Sequence, residues 1–123
     1  MSTALGYVYA LAIVAPVIGQ LGLLFGAPWG HLTMGGRWQG ALPLRMRPLA
    51  AVQASLLILM ACVVLDYSGA MEFGLPNWAI WPVLGLTVLT TIGNLVTPSR
   101  PERLFWGPVT VIMTISLLGV LLV

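Results

Sequence analysis

Four long apolar runs, each free of charge through its length, are separated by short segments that hold nearly every charged residue of the chain. Arg37, Arg45 and Arg47 lie between the first and second runs, and Arg100 and Arg103 between the third and fourth. Asp66 and Glu72 lie between the second and third. A run of about 20 apolar residues is what an α-helix needs to cross a bilayer. Positive loops that alternate with a loop lacking them orient a four-span protein with the basic segments in the cytoplasm. The pattern therefore predicts an all-α membrane protein, a four-helix transmembrane bundle with both termini outside and a long cytoplasmic loop between helices 1 and 2. The expected spans are about 4–26, 48–67, 78–96 and 100–123, in one domain over 1–123.

Composition points the same way. Of 123 residues, 59% are hydrophobic and 7% charged, where a soluble domain carries about a quarter. The formal charge of +2 reports orientation rather than an acidic partner. A nucleic-acid surface needs a dense basic patch with stacking aromatics on a solvated domain, and none is present. Cys62 is the only cysteine and His31 the only histidine, so no intrachain disulfide, Cys/His metal cluster or bis-histidine cofactor is expected. The first run lacks the basic opening of a secretory signal and is long enough to span, so a retained helix is expected.

Within the first run Pro16 predicts a kink, since a mid-helix proline removes a backbone donor and crowds the preceding turn. Small residues at Ala12, Ala15, Gly19, Gly22 and Gly26 recur every three or four positions and predict a close-packing helix face. From Ala27 to Pro48 three prolines and several glycines forbid a continuous helix. This segment is long for a connector, and Trp29 and Trp38 suit a headgroup layer. It is expected to fold back over the cytoplasmic end of the bundle, with at least one of Arg37, Arg45 and Arg47 facing the Ser99–Arg103 turn. Pro48 suits a first helical position, Gly69 a helix stop and Asn77 a cap for the third span. Ser99-Arg100-Pro101-Glu102 fits the capping box, with Ser99 accepting from the helix and Glu102 returning to the Ser99 N–H.

Ionisable groups inside a membrane are the usual mark of function there, and the spans hold essentially none; Asp66 sits at an outer helix end, read as a solvated terminus. Uncharged polar groups are better ordered: Thr87, Thr90, Thr91, Asn94 and Thr97 follow helical spacing on the third span, and Thr110 and Thr114 on the fourth. Gln20 and Gln53 lie towards the cytoplasmic ends of the first two. Bonding between helices is the favoured use of this stripe, a narrow hydrated path the alternative. His31, Arg37, Arg45, Arg47, Arg100 and Arg103 are expected at the cytoplasmic headgroups, where arginine forks fit phosphate.

The segments Ala27-Pro-Trp-Gly30, Thr33-Met-Gly-Gly-Arg37, Leu42-Pro43 and Asn94-Leu-Val-Thr-Pro-Ser-Arg-Pro-Glu-Arg103, with Trp106 and Pro108, resemble a group of small four-span bacterial membrane proteins of unassigned function. The resemblance covers nearly the whole chain and implies a bacterial inner-membrane protein, with no chemistry attached. In size and span number the chain is also similar to the membrane-associated glutathione enzymes, but it lacks their arginine–histidine–asparagine helix motif and buried glutamate. The expected function is that of a non-enzymatic bundle, an oligomer or an accessory subunit of a membrane complex, with anionic lipid at its cytoplasmic face and no cofactor or metal. The alternatives are a small-solute channel built from several chains around the Thr/Asn stripe, and a lipid-headgroup enzyme uniting His31, Glu102 and the arginines.

Overall fold

The computed structural model describes residues 1–32 and 40–123. It holds four α-helices, α1 (Ser2–Leu24), α2 (Arg47–Tyr67), α3 (Ile80–Val96) and α4 (Arg100–Leu122), and the described residues include no strand. Short 3-10 turns over Gly30–Leu32, Leu44–Met46 and Asn77–Ala79 complete the described elements. Each of the four helical stretches is long and apolar enough to cross a membrane. Their outer faces suit lipid: Leu11 (74%), Leu59 (53%), Leu89 (66%) and Ile115 (63%), one per helix, stand open near mid-length. Contiguous apolar surface of this kind is not left to water in a soluble protein.

Local chemistry sets the helix ends. Gly26 (φ +94°) and Gly69 (φ +83°) adopt the left-handed conformation just past α1 and α2, which glycine reaches without a Cβ penalty. At each end the next residue reaches back a full turn, Ala27 N–H to Gly22 O (2.8 Å) and Ala70 N–H to Leu65 O (3.0 Å). With Gly26 N–H on Leu23 O and Gly69 N–H on Asp66 O, both ends close as Schellman motifs. Pro16 and Pro108 do not divide their helices; α1 and α4 run on through them, as transmembrane helices allow when neighbours re-satisfy the backbone. Asn77 does not cap α3: it lies within the 3-10 turn that leads into the helix, and no side-chain cap bond forms there. The α2–α3 loop is instead braced by Asp66, whose Oδ2 accepts from Phe73 N–H (3.2 Å) and Leu75 N–H (2.9 Å). That gives Asp66 a definite task where the sequence suggested only a solvated helix end.

Neighbouring helices run antiparallel around a ring in the order α2, α1, α4, α3. Thr3 Oγ1 donates to Ser68 O (3.2 Å), and Leu5 packs over Gly119, so the start of α1 meets the ends of α2 and α4. At the opposite end, the Arg47 guanidinium lies over Gly26 and Ser99 Oγ donates to His31 O (2.9 Å). Arg45, Arg47, Arg100, Arg103 and Glu102 thus gather at one end of the bundle, the basic end; Asp66 and Glu72 stand at the other. Packing is close along α1–α2, α1–α4 and α3–α4, and sparse along α2–α3. The main core, Tyr9, Ile13, Met60, Val63, Val64, Ile80, Val83, Met113, Leu117 and Val120, fills the half away from the basic end. A small second cluster of Leu23, Leu42 and Ala50 seals the join of α1, α2 and their connecting segment.

Candidate functional site

The small-residue face of α1 receives side chains. Gly19 lies under the Trp106 ring, 3.0 Å from where a Cβ would stand, and Gly22 lies under Trp29, where a Cβ would clash at 2.0 Å. Gly26 combines its positive φ with an Arg47 guanidinium that would stand 3.2 Å from a Cβ at this position. Ala15, next along this face, borders an apolar cavity of about 390 Å³ together with Gly19, Trp29, Phe105 and Trp106. The glycines thus make room for two indoles and one guanidinium at the basic end. Trp29 is therefore placed by contact with α1, whatever the membrane depth; Trp38 lies outside the described residues.

The connecting segment is held to α4 by its backbone carbonyls. Ser99 Oγ bonds His31 O, and Trp106 Nε1 donates to Leu32 O at 2.7 Å. Its two described ends meet where Gly30 N–H donates to Gly40 O (2.7 Å). Arg47 Nε donates to Leu42 O (3.1 Å) and ties the far end of the segment to α2. The element facing the Ser99–Arg103 turn among the described residues is thus the His31–Leu32 backbone, while Arg47 faces Leu42 and Gly26. Arg37 lies outside the described residues. Arg100 is exposed, and Arg103 turns back on its own helix start, Nη1 to Thr97 O at 2.7 Å.

The cap of α4 is only partly as the sequence suggested. Ser99 Oγ accepts from Glu102 N–H (3.4 Å), the expected half of a capping box. The Ser99 N–H donates to Thr97 Oγ1 (3.3 Å), the bond that had been assigned to the Glu102 carboxylate. Glu102 itself is buried. The reason is local: Thr97 sits two residues before the cap and offers its hydroxyl at shorter reach, leaving Glu102 to point into the bundle.

The polar stripe divides in two. Thr87 takes the Tyr9 hydroxyl at 2.8 Å while donating to Val83 O (2.7 Å), which joins α1 to α3. Thr91 Oγ1 lies 3.0 Å from Thr110 O and 2.7 Å from Thr114 Oγ1, joining α3 to α4. Thr110 also returns to Trp106 O (2.9 Å) and Gly107 O (3.1 Å) of its own helix. Tyr9 was not singled out in the sequence; a phenol one turn past a glycine in an apolar run is the signal that could have found it. Among the described residues Thr90 and Asn94 make no such bonds and face elsewhere.

They border a cavity of about 300 Å³ that lies in the basic half, where α2 and α3 stand apart. All four helices contribute: Pro16 and Gln20 from α1, Gln53 to Met60 from α2, Leu86 to Asn94 from α3, and Glu102 to Met113 from α4. Leu32 and Trp106, bonded to each other, close it toward the connecting segment. The walls carry a gradient. Gln20, Gln53, Asn94 and Glu102 are all within about two turns of the basic helix ends, and Pro16, Met60, Leu86 and Met113 lie deeper. Gln20 borders both cavities, and its Oε1 is buried with no hydrogen-bond partner among the described residues. No group of three or more His, Cys, Asp and Glu side chains suited to a metal ion occurs among the described residues. No protein-family model, curated protein or solved structure matches this chain.

Proposed function

We propose that the chain is a non-enzymatic multi-pass protein of a bacterial inner membrane, with both termini outside and the basic end in the cytoplasm. It works as an oligomer or as an accessory subunit of a membrane complex and holds anionic lipid at the basic end. The observation that carries this reading is the segregation of charge. Arg45, Arg47, Arg100 and Arg103 collect around one end of four apolar helices, and Asp66 and Glu72 stand at the other. A guanidinium has five N–H groups; the described bonds of Arg47 and Arg103 use one each, so both retain donors for a phosphate. Such clusters beside a membrane attract anionic headgroups at about 1 kcal/mol per basic residue.

Purification in a mild neutral detergent tests both halves of the proposal. Phosphatidylglycerol or cardiolipin should be retained in fixed stoichiometry and fall when Arg45 and Arg100 are replaced by glutamine. The native mass should exceed that of one chain. A monodisperse single chain without partner or lipid would overturn the reading.

The second reading, a small-solute path, has its own observation in the cavity beside Thr90 and Asn94. Reconstituted protein would then raise liposome flux of ions or small polar solutes; background flux removes it.

A further inference from the structure

We infer that the cavity between α1 and α4 holds one acyl chain of an anionic phospholipid whose phosphate is gripped by Arg47. This rests on the anionic-lipid reading of the basic end and deepens it by naming where head and chain lie. The cavity, about 390 Å³, has a largely apolar wall that includes Ala15, Ile18, Trp29, Phe105 and Trp106. Its rings are fixed by their own contacts. Trp106 Nε1 donates to Leu32 O (2.7 Å), Phe105 meets Trp106 edge-on with centroids 4.6 Å apart, and Trp29 lies on Gly22. The hollow is thus set by the fold itself. Ile18 (55%) and Phe105 (54%) are exposed, so its rim opens on the outer side of the α1–α4 pair, where lipid lies. A volume at the small end of ligand pockets takes one chain and leaves the second in the bilayer.

The cation stands at the matching end of this hollow. Gly26, Gly22 and Gly19 lie under the Arg47 guanidinium, the Trp29 ring and the Trp106 ring, in that order. From Gly26 to Gly19 is about 10 Å along the helix axis. Inward from the basic end the surface therefore offers a cation, then an indole, then the apolar hollow. Phosphate, interface and acyl chain follow the same order in the adjoining leaflet. Arg47 is half-buried and held in place, its Nε donating to Leu42 O (3.1 Å). Its Nη2, Cζ and Nη1 would stand 3.2, 3.4 and 3.4 Å from a Cβ on Gly26. Such similar distances lay the guanidinium plane flat over the glycine and leave the Nη1 and Nη2 donors at its edge. That edge is a fork suited to two phosphate oxygens at once. Charge complementarity selects the anionic head, and the hollow beside it selects a lipid over a free phosphate.

The test uses the full chain in a mild neutral detergent and dioleoyl-phosphatidylglycerol brominated at mid-chain, read by quenching of tryptophan fluorescence. Saturable quenching at one lipid per chain is expected, reversed by the unbrominated lipid but not by glycerol 3-phosphate or oleate at matched concentration. Arg47→Gln should weaken binding about tenfold or more, the factor for a hydrogen bond to a charged group. Ile18→Phe and Ala15→Leu narrow the hollow and should weaken it about fivefold or more, the lower end of overpacking. At the exposed Ile18 the ligand-free thermal midpoint should stay the same, so that variant decides even if Arg47→Gln fails to fold. Leu11→Phe, an enlargement on the open face of α1, should change nothing. Phosphatidylglycerol retention that falls on replacing Arg45 and Arg100 yet ignores both cavity variants would overturn this inference alone. A wild-type chain that retains no phospholipid would overturn it together with the anionic-lipid reading. Displacement by oleate would assign the hollow to a fatty acid, and displacement by glycerol 3-phosphate would assign Arg47 to a soluble phosphate ester; either overturns the phospholipid.

Discussion

Gly22 shows how much of this bundle depends on a missing side chain. A Cβ there would stand 2.0 Å from the Trp29 ring, far inside contact, so Gly22→Ala must displace the indole. The expected cost is about 1–3 kcal/mol, the usual range for overpacking, read as a lower thermal midpoint with altered tryptophan fluorescence. Gly85 and Gly93, with open space around them, accept alanine without that change. Tyr9 makes a different kind of contact. Its hydroxyl can donate to Thr87 only, since the Thr87 hydrogen is used on Val83 O. Tyr9→Phe therefore removes one interhelical bond and leaves Thr87 satisfied, a loss of about 0.6 kcal/mol by the average for such bonds in membranes. Thr91→Val, which cuts the link to Thr110 and Thr114, should cost at least as much, measured by the same unfolding assay. The spacing of the small residues was legible in the sequence, because periodicity reports which side of a helix is smooth. What fills the smooth side was not, since Trp29 and Trp106 reach it from other elements.

At the scale of elements, the short connections are more tightly built than their composition suggests. Asp66 holds two amides of the α2–α3 loop, and Ser99 joins the α4 cap to the His31 carbonyl across the bundle end. Ser99→Ala loses both, so its cost should reach the upper part of the 0.5–2 kcal/mol range for cap removal. Hydrogen exchange should then quicken at Glu102 N–H and around Gly30–Leu32, and not in the α2–α3 loop. Asp66→Ala should give the converse pattern, with faster exchange at Phe73 and Leu75. These devices also show where sequence reasoning stops. The helices could be read from apolar length, and Gly69 as a stop from its place after it, because both signals are local; Gly26, read as the end of the packing face of the first span, is a second stop. Ser99 was recognisable as a cap for the same reason. Its bond to His31, 68 residues away, and the choice of Thr97 over Glu102 for its N–H depend on tertiary placement that no local pattern encodes. Asn77 carried a cap signal and was overridden by the 3-10 turn in which it sits.

Across the whole molecule, close packing in one half and a cavity in the other follow from a ring of helices tight on three sides and loose on the fourth. The apolar runs announced four helices, yet none of them carries the ring order, which is set by which faces interlock. The charge pattern, in contrast, makes a prediction for the whole molecule. Arginines at one end contribute in the same sense to orientation, and the acids Asp66 and Glu72 stand at the other end. Cysteine accessibility in intact cells tests this, but the sites must be chosen from the fold: Ser68 and Ser99 are buried and would resist labelling from either side. Leu44, 77% exposed beside the basic end, and the exposed Glu72 of the α2–α3 loop give an unambiguous pair. With Cys62 replaced by alanine, Glu72→Cys should react with an impermeant maleimide added to intact cells, and Leu44→Cys only after the membrane is opened. The reverse pattern would place the basic end outside and withdraw the cytoplasmic assignment of its lipid.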